Sequence, residues 1–136
     1  MKWAQSLIRI ADYEIEALRK RVAEVTDRRV ACEMIIESLE REAAAETERA
    51  RHDAEAGWYL IGFREGWKLR QARAESELAA VRVEEQGARD ALTRAYEELK
   101  KVEHVAENAR VAATKEAAAR ETAQLNEIAL RRATGR

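Results

Sequence analysis

A heptad repeat runs almost unbroken through the first part of this sequence and limits the folds open to it. To about residue 54, apolar residues recur at alternating spacings of three and four residues, and only Arg29, Glu46 and Asp53 interrupt the pattern. A repeat of about 3.5 residues sustained over so many heptads predicts a long helix in a left-handed supercoil. Its core positions are Ala4, Ile8, Ala11, Ile15, Leu18, Val22, Val25, Cys32, Ile36, Leu39, Ala43 and Ala50.

A second repeat of the same kind begins at Leu78 and continues to Ala113, and Glu85 is the one polar residue at its core positions. Its apolar members are Leu78, Val81, Ala88, Leu92, Ala95, Leu99, Val102, Ala106, Ala109 and Ala113. Beyond Ala113 this register fails, and the apolar residues lie on a shifted stripe. The shifted stripe contains Ala118, Leu125 and Ile128. We therefore expect the end of the second tract to contact a different surface.

Between the repeats lies a glycine–aromatic segment, residues 55–67, with three of the five glycines, two of the three tryptophans and the only phenylalanine. Glycine is unfavourable inside a helix, so this segment predicts a reversal of the chain within residues 54–66. Two versions are open. The chain reverses at residues 54–57 and the aromatic residues open the second helix, or it bends at Gly62 or Gly66.

Together these patterns predict an all-α fold in which two long helices form an antiparallel coiled-coil hairpin. We expect one domain over residues 1–136, with helix one at about 3–54, the glycine–aromatic segment at 55–67 and helix two at about 67–133. Charged residues make up 38% of the chain, aromatic residues 5%, and proline is absent, which is typical of an elongated coiled coil with a thin core. The alternative is one continuous helix that dimerises in parallel.

Composition and motifs argue against several classes of function. The net charge is −1 and the two signs are interleaved, so the sequence offers no basic face for a nucleic acid. Neither His52 nor His104 has a cysteine or a second histidine at ligand spacing, so we expect no metal and no cofactor. Nothing indicates a catalytic site or a pocket for a small-molecule substrate, so we expect no enzyme. The single cysteine, Cys32, and the lack of a long apolar run indicate a cytoplasmic protein.

Tyr59, Phe63 and Trp67 recur every four residues, which places them in one stripe if the segment is helical. The stripe either caps the end of the coiled coil or forms an exposed patch that anchors a protein partner, since aromatic residues are the usual anchors of such interfaces. A combination of the two turns Trp67 and Leu60 inward and Phe63 and Tyr59 outward.

The layout, the central aromatic residues and both chain ends resemble the FliJ family, coiled-coil proteins of the flagellar type III export apparatus. Residues 1–10, MKWAQSLIRI, resemble the start of the short alphaproteobacterial members, and residues 120–132, RETAQLNEIALRR, resemble the end. The Leu-x-Glu-x-Ala pattern at Leu125, Glu127 and Ala129 carries most of this resemblance.

The resemblance implies a non-enzymatic stalk of the export ATPase, similar to the coiled coil of the rotary ATPase gamma subunit. Such a protein engages the ATPase hexamer, contacts the cytoplasmic domain of an export-gate membrane protein, and receives unladen export chaperones. It would lie in the cytoplasm, peripheral to the inner membrane at the flagellar base. The positions implied are Tyr59, Phe63 and Trp67 on the export-gate side and Leu125, Glu127 and Arg131 on the ATPase side. The alternative function is a homodimeric coiled-coil tether or scaffold unrelated to export.

Overall fold

The computed structural model describes residues 2–135, which form two α-helices, α1 (Lys2–His52) and α2 (Ala54–Thr134). Within these residues there is no β-strand. The chain divides into two compact units. The first consists of Glu16–Thr93, and the second of the beginning of α1, as far as Ile15, and the end of α2, from Arg94 onwards.

The two helices are antiparallel within Glu16–Thr93. Trp67 of α2 contacts Leu39 of α1, and Glu84, further along α2, contacts Arg28, further back along α1. The contacting residue of α1 thus moves toward the N-terminus as that of α2 moves toward the C-terminus. The predicted all-α fold of two long antiparallel helices is confirmed.

The chain reverses at Asp53, the single residue between the two helices. Its carboxylate Oδ1 accepts a hydrogen bond from the backbone N–H of Glu55 at 3.0 Å, and its carbonyl oxygen accepts one from the N–H of Gly57 at 3.3 Å. Aspartate in this position is a favoured N-cap, because its side chain satisfies an otherwise unpaired helix donor. The break lies immediately before the interval 54–66, and the aromatic residues occupy the opening turns of α2, as in the first predicted version.

Residues 55–67 are therefore part of α2 and do not form a separate connection between the helices. Neither Gly62 nor Gly66 bends the helix into a turn, and no described residue has a positive φ. The Asp53 cap and the packing of the aromatic residues described below offset the low helix propensity of these glycines.

The core is a narrow row of small and medium apolar side chains. In Glu16–Thr93, Val25 is completely buried, and it is joined by Leu39, Ala74, Leu78, Val81 and Ala88. In the other unit the buried residues are Ala4, Ile15 and Ala95. All of these except Ala74 are core positions of the two predicted repeats, and Ala74 lies four residues before Leu78 on the same stripe.

Two of the polar residues that interrupt the repeats, Arg29 and Glu85, face each other. The guanidinium Nε of Arg29 donates hydrogen bonds to both carboxylate oxygens of Glu85, at 2.8 and 3.0 Å, and Nη1 donates to Glu33 at 2.8 Å. The Glu85 side chain is only 13% exposed. The hydrogen bond from Arg29 lowers the pKa of Glu85, and the same bond raises the pKa of Arg29.

This pair distinguishes the hairpin from the alternative parallel dimer. In a parallel coiled coil in register, Arg29 would face the Arg29 of the second helix and Glu85 would face the second Glu85. Like charges in a partly buried row repel each other, whereas the antiparallel hairpin pairs them with opposite charges. The interruptions therefore favour the observed arrangement.

Candidate partner-binding surfaces

Among residues 2–135, no group of three or more histidine, cysteine, aspartate or glutamate side chains is arranged to hold a metal ion. His52 contacts Glu48 at 2.8 Å in α1, and His104 contacts Asn108 at 3.2 Å in α2. Each pair consists of exposed neighbours four residues apart on its own helix. Cys32 is a half-buried free thiol. No helix in the described part of the chain is long and apolar enough to cross a membrane. The features that remain to be explained are exposed apolar side chains.

The structure separates the three predicted aromatic residues. The indole Nε1 of Trp67 donates a hydrogen bond of 2.6 Å to the backbone carbonyl oxygen of Leu39 in α1. Phe63 is half-buried and lines one surface pocket with Trp67 and with Ala43 of α1. Tyr59, in contrast, is 79% exposed. Two of the three side chains thus contribute to packing between the helices, including Phe63, which the combined interpretation turned outward.

The separation follows from helix geometry. With about 3.6 residues per turn, a step of four residues advances the stripe by about 40°, so Tyr59 and Trp67 differ by about 80° in direction. Trp67 faces α1, while Tyr59 has rotated toward solvent. A spacing of four keeps neighbouring pairs adjacent but does not keep a longer series on one face.

The exposed apolar side chains at the beginning of α2 form what we call the tip surface. It consists of Trp58, Tyr59, Ile61 and Leu69. Trp58 and Leu69 lie off the stripe of Tyr59, Phe63 and Trp67, so the spacing of that stripe does not identify them. Their signal in the sequence is that they are large apolar residues outside the heptad core, where packing between the two helices does not require such side chains.

The end of α2 offers a second such surface. Every described residue from 112 onwards is exposed, although the helix continues to Thr134. We call Leu125, Ile128 and Leu130 the tail surface. Leu125, one of the predicted residues, is 61% exposed. The other two predicted residues are brought together, because the Arg131 guanidinium pairs with the Glu127 carboxylate at 2.9 Å.

A third apolar surface was missed from the sequence. Trp3, Leu7 and Ile10 follow each other at spacings of four and three on α1 and are exposed. Leu7 lines a groove with Val102 and the exposed Val105 of α2. The spacing of four and three residues is visible in the sequence, but these residues lie beside the heptad core and the repeat does not identify them.

Comparison with known proteins gives two close relatives. The chain is 52% identical over 132 residues to the "Flagellar FliJ protein" of Caulobacter vibrioides strain NA1000, and the match covers 97% of this chain and 95% of the relative. The protein of the same name from the Caulobacter vibrioides strain ATCC 19089 matches with the same identity and coverage. No protein-family model and no solved structure matches the chain.

Proposed function

Because the chain belongs to the family of flagellar FliJ proteins, we propose that it is a non-enzymatic component of the flagellar type III protein export apparatus. In this proposal it is the stalk of the export ATPase hexamer and links that hexamer to the cytoplasmic domain of the export-gate membrane protein. It also receives unladen export chaperones. It acts in the cytoplasm, peripheral to the inner membrane at the flagellar base, without a cofactor.

The end of α2 is assigned to the ATPase through Leu125, Glu127 and Arg131. The observation that carries this assignment is the exposure of every described residue from 112 to 135 on a continuous helix. Helices in proteins owe most of their stability to the packing of an apolar face, and every described residue of this part of α2 is exposed. A partner that covers Leu125 and Ile128 would supply that packing.

The beginning of α2 is assigned to the export gate through Tyr59, Phe63 and Trp67. The support is the exposure of Tyr59 beside the other members of the tip surface, since exposed tyrosine and tryptophan are frequent anchors of protein interfaces. Phe63 and Trp67 would act partly by holding this turn of α2 against α1, because Trp67 is hydrogen-bonded to Leu39.

The experiment that tests both assignments is a paired titration of two variants against the purified ATPase and the purified gate domain. Tyr59→Ala removes an exposed aromatic side chain without touching the packing of Phe63 and Trp67, and we expect it to weaken gate binding by about 2 kcal/mol, the loss typical of an interface hot spot. Leu125→Ala combined with Glu127→Ala should weaken ATPase binding and leave gate binding unchanged.

A matched control is Tyr13→Ala, because Tyr13 is 71% exposed on α1 and belongs to neither surface. Circular dichroism on the same samples checks that each variant keeps its helix content. If Tyr59→Ala weakens both partners equally, or if the tail variant binds the ATPase as the parent does, the assignment of one partner to each part of α2 is wrong.

A further inference from the structure

Six residues near the beginning of α2 follow each other at spacings of four, three, four, three and four, and so share one helical face. They are Glu55, Tyr59, Gly62, Gly66, Leu69 and Arg73. All six are exposed, and the face they form is different from the one that carries Phe63, Trp67 and Ala74 toward α1. The hairpin leaves this face uncovered.

The six residues form three pairs that are chemically symmetric in the sequence about the position of Arg64. Gly62 and Gly66 lie two residues from this centre, Tyr59 and Leu69 lie five residues away, and Glu55 and Arg73 lie nine residues away. The inner pair is glycine with glycine, the middle pair is apolar with apolar, and the outer pair is acidic with basic. A two-fold axis through the centre brings each residue against the opposite member of its pair on a second, antiparallel helix.

The two glycines have no role in the hairpin itself. A Cβ atom added at Gly62 or Gly66 would meet no heavy atom within 4 Å, and neither residue has a positive φ. Glycine destabilises a helix interior relative to alanine, so its presence needs another reason. Close approach of a second backbone is such a reason, because a helix crossing at glycines brings the two backbones nearer than any Cβ allows.

We propose that two copies of this protein pair through this face of α2, antiparallel and with two-fold symmetry. Gly62 of one copy lies against Gly66 of the other, Tyr59 packs on Leu69, and Glu55 forms an ion pair with Arg73. The second copy is the occupant because the face is complementary to itself in charge as well as in side-chain size. This goes beyond the proposed export function, and since Tyr59 belongs to both surfaces, pairing of two copies excludes the gate from this face.

The test reverses the charge of Glu55 or Arg73 and then mixes the two variants, so that the ion pairs can form again between different copies. Glu55→Arg places arginine against arginine in a pair of identical copies, and Arg73→Glu places glutamate against glutamate. We expect sedimentation equilibrium, from micromolar to near-millimolar protein, to show a dimer of the parent and at least about tenfold weaker association of each variant alone. An equimolar mixture of the two variants restores both ion pairs, so dimers should form again in the mixture.

Matched controls are Glu75→Arg and Lys68→Glu, which make the same changes in charge at exposed positions off this face and should leave the dimer unchanged. Gly62→Leu gives a second measurement, because it has room in the single hairpin but blocks close approach of a second helix. A parent that stays monomeric at every concentration overturns the proposal. The proposal is also overturned if neither charge reversal weakens the dimer, or if the equimolar mixture of the two variants does not form dimers. Another helical partner or another face would then explain the pattern.

Discussion

Replacing Gly62 and Gly66 by alanine tests whether the glycine–aromatic segment is helical in solution. Both lie inside α2, neither has a positive φ, and an added Cβ meets no heavy atom within 4 Å. The change therefore carries no steric cost and gains the difference in helix propensity, about 1 kcal/mol at each site. The double variant should be more stable than the parent by about 2 kcal/mol. In a chain of 136 residues we expect the melting temperature to rise by roughly 6 to 12 °C.

The assay is thermal unfolding followed by far-ultraviolet circular dichroism, at low protein concentration so that association does not contribute. Gly87→Ala is the matched control, because Gly87 lies in the interior of α2 with equally open surroundings, and it should gain about 1 kcal/mol. At Gly135 an added Cβ would lie 2.7 Å from the Arg131 carbonyl oxygen, so alanine there should not stabilise. If Gly87→Ala stabilises while the double variant is neutral or destabilised, residues 62–66 are not helical in the free protein.

Two further predictions concern the pair of Arg29 and Glu85. Arg29→Glu and Glu85→Arg should each lower the melting temperature, and the double exchange should recover part of the loss, because Glu33 and Arg89 would then lie beside like charges. No recovery would mean that the residues do not face each other. The second prediction concerns how the free energy of unfolding depends on pH. Because Arg29 lowers the pKa of Glu85, the pair's contribution is complete above the usual carboxyl pKa and is lost as the pH falls through the lowered value. Denaturant unfolding at several pH values should therefore show a smaller loss of stability in acid for Glu85→Gln than for the parent.

The register between the two helices could not be obtained from the repeats alone. Each repeat identifies its own core residues, and every buried apolar residue except Ala74 is among them, whereas the predicted core residue Ala113 is exposed. In a hairpin, however, moving the reversal by one residue moves the partner of every residue by two. Arg29 and Glu85 were both recognised as interruptions, but they could be paired only after the reversal was located at Asp53.

The position of the reversal depended on a cap more than on glycine. The low helix propensity of three glycines predicted the reversal among them, whereas Asp53 was only one more interruption of the repeat. In the structure Asp53 caps α2, and Trp67 anchors its fourth turn to the carbonyl oxygen of Leu39. These tertiary and capping interactions act on the whole helical turn, whereas the propensity of glycine acts only at its own position.

The hairpin needs only its narrow core, so the large apolar side chains outside that core contribute nothing to its folding and reduce its solubility. Their presence at both the beginning and the end of α2 is better explained by partners, and the two surfaces differ in what binding must supply. Tyr59 stands on a helix that already packs on α1, so a partner meets a preformed surface. Leu125 stands on the last part of the same helix, where every described residue from 112 onwards is exposed, so a partner there must also stabilise the helical segment that presents it. Binding at the tail surface should therefore be accompanied by a gain in helix content and a larger entropic cost than binding at the tip surface.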